Sequence, residues 1–257
     1  MAPGEATGVP RAEDVPRAGG GGDRPLVNLK GWIRTSLIDF PDHIATVLFT
    51  AGCNFRCPMC HNADLVLRPD DLPDVPEDEV WAFLDRRAGL VDGVAITGGE
   101  PTLQPDLPSF LRRLREHGLA VKLDTNGYRP EVLEALLRDG LVDYVAMDVK
   151  GPPEKYPLLA GRDGLDLARV ERSIDLLRAS TTPYEFRTTV VPGWLNEEDV
   201  EAIAEWISGG RRYVLQQFRP LKTLDPALGS LSPYPMERLE EMARRARRWV
   251  EEVMVRA

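Results

Sequence analysis

The chain is poor in the residue types that build most metal and redox sites: its 257 residues hold only three cysteines and three histidines. An odd, small cysteine count excludes a disulfide framework. The histidines, His43, His61 and His117, are scattered and form no catalytic group, and His117 reads as a helix-end cap. Positive charge is also scarce. The 32 Lys and Arg stand against 41 Asp and Glu, a net charge of −9. That balance argues against nucleic acid or an anionic membrane as partner, since either calls for a basic face. No apolar run reaches the length of a membrane-spanning helix. Residues 1–25, MAPGEATGVPRAEDVPRAGGGGDRP, lack the apolar core of a secretory leader. They are rich in Pro and Gly and bury too little apolar surface to offset chain entropy, so a disordered tail is expected there. Residues 26–257 are expected to form one domain, and a hydrophobic content of 43% supplies its core.

The cysteines that are present sit together: Cys53, Cys57 and Cys60 fall in C-N-F-R-C-P-M-C. Structural thiols are scattered through a core rather than packed into eight residues. Zinc could take the three thiolates with His61 as a fourth ligand, although His61 directly follows Cys60 and structural zinc usually draws on two separated pairs. A 4Fe–4S cluster held for electron transfer uses four cysteines, one per iron. Three would leave one iron open to an outside ligand. The spacing favours such a cluster, with zinc as the alternative. An oxygen-sensitive cluster in a chain without an export signal implies a cytoplasmic protein.

From residue 44 strand-like and helix-like segments alternate. Strands are expected at 44–49, 93–97, 120–124, 144–149, 184–191 and 212–218. Helices are expected at 77–87, 106–117, 130–138, 166–179, 197–207 and about 235–253. Gly118 and Gly140 follow helix ends, as left-handed caps do. Strict alternation implies an α/β fold with a parallel sheet. Six units are too few for an eight-stranded barrel, so the expected fold is a partial (βα)6 TIM-like barrel.

In such folds ligands bind where the strands end and the βα loops gather. Here the cysteine loop follows the first strand, T-G-G-E-P the second and D-T-N-G the third; M-D-V-K closes the fourth and V-V-P-G-W follows the fifth. Gly98 and Gly99 carry no Cβ and let backbone approach a ligand. Alone, Asp124-Thr125-Asn126-Gly127 is an ordinary turn sequence, and Asp148 with Lys150 an ordinary ion pair. Both follow apolar strands directly, where polar groups need partners.

The C-x-x-x-C-x-x-C loop and the Gly-Gly-Glu turn resemble the signature of the radical S-adenosylmethionine (radical SAM) enzymes. C-N-F-R-C-P-M-C-H-N, D-T-N-G with M-D-V-K, V-V-P-G-W and the preceding G-W-I-R-T-S-L-I-D-F-P narrow the resemblance, over about Lys30 to Pro220. It narrows to the activating enzymes of glycyl radical enzymes, most nearly those of anaerobic ribonucleoside-triphosphate reductase. The resemblance implies that Cys53, Cys57 and Cys60 ligate one 4Fe–4S cluster whose open iron is chelated by SAM. Met59 would lie near the adenine, and Gly98, Gly99 and Glu100 would hold the SAM amino group. Asp124, Asn126, Asp148 and Lys150 would face the SAM ribose and carboxylate or an incoming peptide. Relatives also bind a monovalent cation near the positions of Asp124 and Asp148.

The resemblance further implies a flavodoxin- or ferredoxin-type electron donor, reductive cleavage of SAM and abstraction of a glycine Cα hydrogen on a partner enzyme. Two departures stand out. Activases often carry Asp-Gly-Pro-Gly where this chain has Asp39-Phe40-Pro41-Asp42. Pyruvate formate-lyase activases carry Pro-Tyr-His where this chain has Gln217-Phe218-Arg219, which points away from that lyase as substrate. A radical SAM enzyme acting on a small molecule and a zinc-stabilised binding scaffold are the rival readings. The arginines at 244, 245, 247 and 248 read as a solvated helix face.

Overall fold

The computed structural model describes residues 27–257; the expected disordered tail lies outside the described residues. One eight-stranded sheet runs in chain order. β1 (Leu29–Ser36) is antiparallel to β2 (Ala45–Thr50). The strands β3 (Gly93–Gly98), β4 (Ala120–Thr125), β5 (Tyr144–Asp148), β6 (Tyr184–Val190), β7 (Arg212–Gln217) and β8 (Glu252–Arg256) then follow, each parallel to the one before. The order begins at β1 and ends at β8, so the barrel is open.

Helices occupy the crossovers. These are α1 (Ala63–Leu67), α2 (Glu77–Arg86), α3 (Leu107–Glu116), α4 (Pro130–Arg138), α5 (Tyr156–Ala160), α6 (Leu167–Ala179), α7 (Glu197–Trp206) and α8 (Met236–Ala246). The strands read as near-continuous apolar runs because helices cover one face and the barrel interior the other. Val94, Ala95 and Ile96 of β3 are all buried. α3 shows the helical counterpart: Leu107, Phe110, Leu111 and Leu114 bury one stripe. Its C-cap His117 donates from Nδ1–H to the Arg113 carbonyl at 2.9 Å, and Gly118 with φ 75° turns the chain out. α7 opens with a capping box in which Asn196 and Asp199 exchange side-chain and backbone bonds.

The Asp39-Phe40-Pro41-Asp42 turn has a structural role. Phe40 is buried and packs with Ala45 of β2 and Tyr144 and Ala146 of β5. β2 and β5 are not neighbours in the sheet, so this small cluster bridges the lumen and floors the barrel at the strands' N-terminal ends. Gly93 leaves the room: a Cβ there would stand 2.9 Å from the Phe40 ring.

The expected elements agree with the observed ones to within a residue or two except at the last helix, and the short helices α1 and α5 have no counterpart among them. β1 was not anticipated. Its burial alternates poorly, so no two-residue period announces it. The last helix was expected to run to Val253, but α8 ends at Ala246 and the chain returns as β8. The buried residues Leu239, Met242, Ala243, Ala246, Val250 and Val253 are spaced like one continuous helical stripe. Pairing with the otherwise open edge of β7 draws residues 252–256 into the sheet instead. Arginines of α8 and of the turn after it face the acidic residues of α7: Arg245 lies 3.3 Å from Glu198, and Arg248 3.3 Å from Glu201. No helix among the described residues is long and apolar enough to cross a membrane.

In β8 Val253 points inward and Met254 outward. Val253→Ala is expected to lower unfolding free energy by about 2 kcal/mol, and Met254→Ala by no more than about 0.5 kcal/mol, measured by urea titration. Equal losses would contradict the strand.

Candidate functional site

β2 ends at Thr50 and delivers the cysteine loop to the mouth of the barrel. That loop is pinned from two sides. The Gly52 N–H donates to the Leu65 carbonyl (2.9 Å), and the Arg56 N–H to the Ala160 carbonyl at the end of α5 (2.9 Å). Arg162 reaches back to the Asn54 carbonyl, also at 2.9 Å. Gly161, at φ 58°, is needed at this contact, since a Cβ there would fall 2.1 Å from the Arg56 carbonyl oxygen. The Arg56 guanidinium folds back onto the carbonyls of Cys53 (2.6 Å) and Phe55 (2.9 Å). The buried Phe55 ring anchors the loop between Tyr128 and Tyr156.

Cys53, Cys57, Met59 and Cys60 all line one cavity of about 270 Å³, together with Gly98 and Gly99. The thiols are free, with Cys53 and Cys57 buried and Cys60 half-buried. Burial, reinforced by Glu100 and the neighbouring thiols, pushes the Cys53 thiol well above its ordinary range. Burial likewise lifts Cys57 to about 12 and raises Cys60. Thiols raised in this way are poor thiolates alone and become good ligands when a metal displaces their protons. Among the described residues no three His, Cys, Asp or Glu side chains are gathered tightly enough for one metal ion. His61 is engaged elsewhere, its Nε2 2.9 Å from the Arg219 carbonyl.

The Gly-Gly-Glu turn is pressed against the end of β2. The Gly99 N–H donates to the Thr50 carbonyl (2.9 Å) and the Glu100 N–H to the Gly52 carbonyl (2.8 Å). A Cβ on Gly98 would sit 2.3 Å from the Thr50 nitrogen, and one on Gly99 1.8 Å from the Gly52 oxygen. No side chain can replace either hydrogen. Glu100 itself does not point into solvent. It is 1% exposed, and Oε1 accepts from the Thr102 N–H (3.1 Å), the Thr102 hydroxyl (2.6 Å) and the Thr125 hydroxyl (2.7 Å). Oε2 accepts from the Asn126 N–H (2.7 Å). Burial raises its pKa, and these four donors act in the opposite direction. Its carboxylate therefore ties the loop after β3 to the loop after β4. Asn126 continues the chain of bonds, its Nδ2 donating to Asn54 Oδ1 at 2.7 Å.

Asp124, Asp148 and Lys150 line the cavity with Arg187, which the motifs did not mark, and the buried Lys122, also unmarked, lies behind them. Lys122 pairs with Asp124. Arg187 reaches Asp124 Oδ2 (3.3 Å) through one terminal nitrogen and Asp148 Oδ1 (2.8 Å) through Nε. Lys150 holds Asp148 Oδ2 at 2.9 Å. Three cations thus enclose two carboxylates. Burial opposes ionisation of Asp148, but the charges of Arg187 and Lys150 outweigh it and hold the carboxyl at about 2. Asp124 is lowered in the same way by Arg187 and Lys122. Lys150 and Arg187 are raised by the carboxylates against their burial. The carboxylate oxygens of Asp124 and Asp148 are engaged by protein cations. A signal for the missed pair existed: Lys122 and Arg187 are charges inside apolar strands, two residues in register from other polar residues. Asn62 was also missed; its Nδ2 holds the Gly98 carbonyl at 3.0 Å.

The fold and this cavity define a class: an open βα barrel whose mouth presents three clustered thiols beside a glycine-built backbone cradle. Residues 47–207 match the model of the radical SAM superfamily, and the chain belongs to that superfamily, whose members use a 4Fe–4S cluster and SAM. It is 37% identical over 233 residues to a Methanocaldococcus jannaschii protein named "Putative glycyl-radical enzyme activating enzyme", covering 89% of this chain and 95% of that one. It is 28% identical over 167 residues to the pyruvate formate-lyase-activating enzyme of Staphylococcus aureus, covering 60% of this chain and 64% of that one. Among solved structures, Streptococcus suis SuiB bound to precursor peptide SuiA superposes with a TM-score of 0.60 at 14% identity, over 84% of this chain and 49% of that chain. That likeness concerns the fold.

Glu100→Gln replaces an acceptor by a donor that must face the Thr or Asn126 donors. It is expected to cost about 2–3 kcal/mol of stability, read from thermal or urea unfolding of the apoprotein, with Thr125→Val milder.

Asp148 has a folded pKa below its unfolded one. Its stabilising contribution is therefore complete above about pH 4 and is lost as pH falls through about 2. Asp148→Asn should remove on the order of 1–2 kcal/mol of that dependence after allowance for solvent screening. Unfolding curves that keep the same slope between those pH values in both proteins would refute the ion-pair account.

Proposed function

We propose that this protein is a glycyl radical enzyme activase with one 4Fe–4S cluster held by Cys53, Cys57 and Cys60. Its partner, on this reading, is a glycyl radical enzyme of the anaerobic ribonucleoside-triphosphate reductase type, met in the cytoplasm. The observation that carries the reading is the cavity itself, where the three thiols face the Gly98-Gly99 backbone at the mouth of an open barrel. Near full-length similarity to a protein named as an activating enzyme supports it. At the segment where pyruvate formate-lyase activases carry Pro-Tyr-His, Phe218 is fully buried in the core and Gln217 is bonded to the Tyr234 carbonyl (2.7 Å), which leaves no imidazole there. This favours a partner other than that lyase.

Each wall has its task. With an electron from a flavodoxin- or ferredoxin-type donor, the bound cluster and SAM supply reductive cleavage of the sulfonium and a hydrogen-abstracting carbon radical. The three cysteines fix the cluster at the end of β2. Gly98 and Gly99 present backbone oxygens to the SAM amino group, their approach possible only without Cβ atoms. Glu100 and Asn126 keep that backbone in place through the bonds described above. Lys150 and Arg187, both lining the cavity, offer positive charge to the SAM carboxylate. Met59 and Phe55 cover the cysteine loop with apolar surface and limit water beside it. A glycine is the natural target, because its Cα carries no side chain and its segment can enter extended.

The test is anaerobic. Protein reconstituted with iron and sulfide is mixed with reductant, SAM and the organism's anaerobic ribonucleotide reductase. The expected outcome is a glycyl radical doublet in the EPR spectrum with 5′-deoxyadenosine formed in the same tube, and neither with Cys57→Ala. Deoxyadenosine without a doublet would move the substrate elsewhere, to another glycyl radical enzyme or a small molecule. A protein that holds only zinc would sink the proposal.

A further inference from the structure

Asn126 is buried, and its carboxamide is held at both polar atoms. Oδ1 accepts from the Tyr128 N–H at 3.0 Å. Nδ2 donates to Asn54 Oδ1 at 2.7 Å and lies 3.8 Å from Cys53 Sγ, within reach of a sulfur acceptor. A flipped amide would set oxygen against Asn54 Oδ1 and nitrogen against the Tyr128 N–H, so the orientation is fixed. Its two N–H groups therefore serve two acceptors, one of them a sulfur. Cys53 Sγ takes a second donor from the backbone, the Phe55 N–H at 3.4 Å. Among the described residues no other side-chain N–H reaches a cysteine sulfur. Asn126 also stands between two groups that carry negative charge. Its backbone N–H donates to Glu100 Oε2 at 2.7 Å, while its side chain faces Cys53. Glu100 is near enough to Cys53 for its charge to oppose a thiolate there.

We infer that Asn126 is a positioning residue for the redox step: its Nδ2–H, aimed at Cys53 Sγ, raises the reduction potential of the cluster that the three cysteines hold. This rests on the cluster reading above. One electron from the donor adds one negative charge to the cluster and its sulfurs. A hydrogen-bond donor at a sulfur stabilises that more negative state more than the oxidised one, so the couple becomes easier to reduce. The carboxylate of Glu100 acts in the opposite direction. Glu100 is needed where it is, because it ties the loops after β3 and β4. The amide of Asn126 offsets its charge at the sulfur it acts on. One side chain thus carries two tasks, with one N–H steadying the cysteine loop at Asn54 and the other tuning Cys53.

The experiment is an anaerobic redox titration of the reconstituted full chain with dithionite and mediators, without SAM, read by EPR. Iron and sulfide per chain are measured first, so that cluster content and potential are separate readouts. Asn126→Leu keeps the volume and removes the donor. It is expected to lower the ratio of reduced to oxidised cluster at a fixed potential about tenfold, the effect of one lost hydrogen bond to a charged group. For a one-electron couple that is a midpoint about 59 mV more negative. Asn126→Ala should move the same way, and it decides the matter if the leucine variant does not fold. Thr125→Val loosens the same loop by removing the hydroxyl that bonds Glu100, but leaves the Asn126 amide. Its ratio should stay within about twofold of wild type. A fully loaded Asn126→Leu with the wild-type midpoint would overturn the inference. So would a shift of equal size in Thr125→Val, since the position of the loop and not the amide would then set the potential. If wild type takes up no 4Fe–4S cluster, the cluster reading fails and the inference goes with it. A normal cluster whose midpoint is unmoved in the variants sinks the inference alone.

Discussion

The buried carboxylate of Glu100 is the interaction on which the site depends. Three separate loops must meet at the mouth of the barrel, and none has regular structure to hold it there. Glu100 follows β3, is pressed onto the end of β2 through its own N–H, and accepts from Thr125 and Asn126 at the end of β4. Burying a carboxylate is costly unless its oxygens are filled, and here four donors fill them. The same requirement explains the two glycines before it. Glu100 can reach its partners only if the backbone at 98 and 99 lies flat against Thr50 and Gly52, at distances no Cβ allows. Asn126 then passes the restraint to Asn54, inside the cysteine loop.

The opposite wall is organised by charge. Lys122, Asp124, Asp148, Lys150 and Arg187 come from three neighbouring strands and alternate in sign around the lumen. A buried ion is costly unless paired, and here a run of pairs from Lys122 to Lys150 gives every member an opposite charge. Of these five, Asp124, Asp148, Lys150 and Arg187 line the cavity, two cations against two carboxylates. The floor of the lumen is apolar, with Phe40 lodged between β2 and β5. Chemistry is thereby confined to the upper end, where the strands finish and the loops are long enough to vary.

Much of this was readable beforehand for a local reason. The parallel strands are buried on both faces, so each shows as a short apolar run, and each helix shows its own stripe and cap. The cysteine loop, Gly98-Gly99-Glu100 and Asp124-Thr125-Asn126 follow those runs directly, so position along the chain already placed them on one rim. Lys122, Asn62 and Arg187 escaped notice because their partners lie far off in sequence, with Arg187 bonded to Asp124 and Asp148 across two strands. β1 and β8 escaped for a related reason: edge strands owe their conformation to the neighbour they pair with more than to their own pattern. In β8 the local pattern even pointed the other way, toward a longer α8.

By itself the sequence determined the order of β and α units, the open (βα)6 barrel plan, the shared rim of the motif loops and the clustering of three thiols. These follow from short-range spacing, in which periodicity, glycine position and chain direction suffice. Tertiary structure alone decided that Glu100 turns inward as a tie between loops, that Arg187 and Lys122 close the charge network, and that Asn126 turns its amide onto Asn54 and Cys53. Each of those outcomes depends on which strands stand side by side. Strand neighbourhood is set by the packing of the whole barrel, and no single segment encodes it.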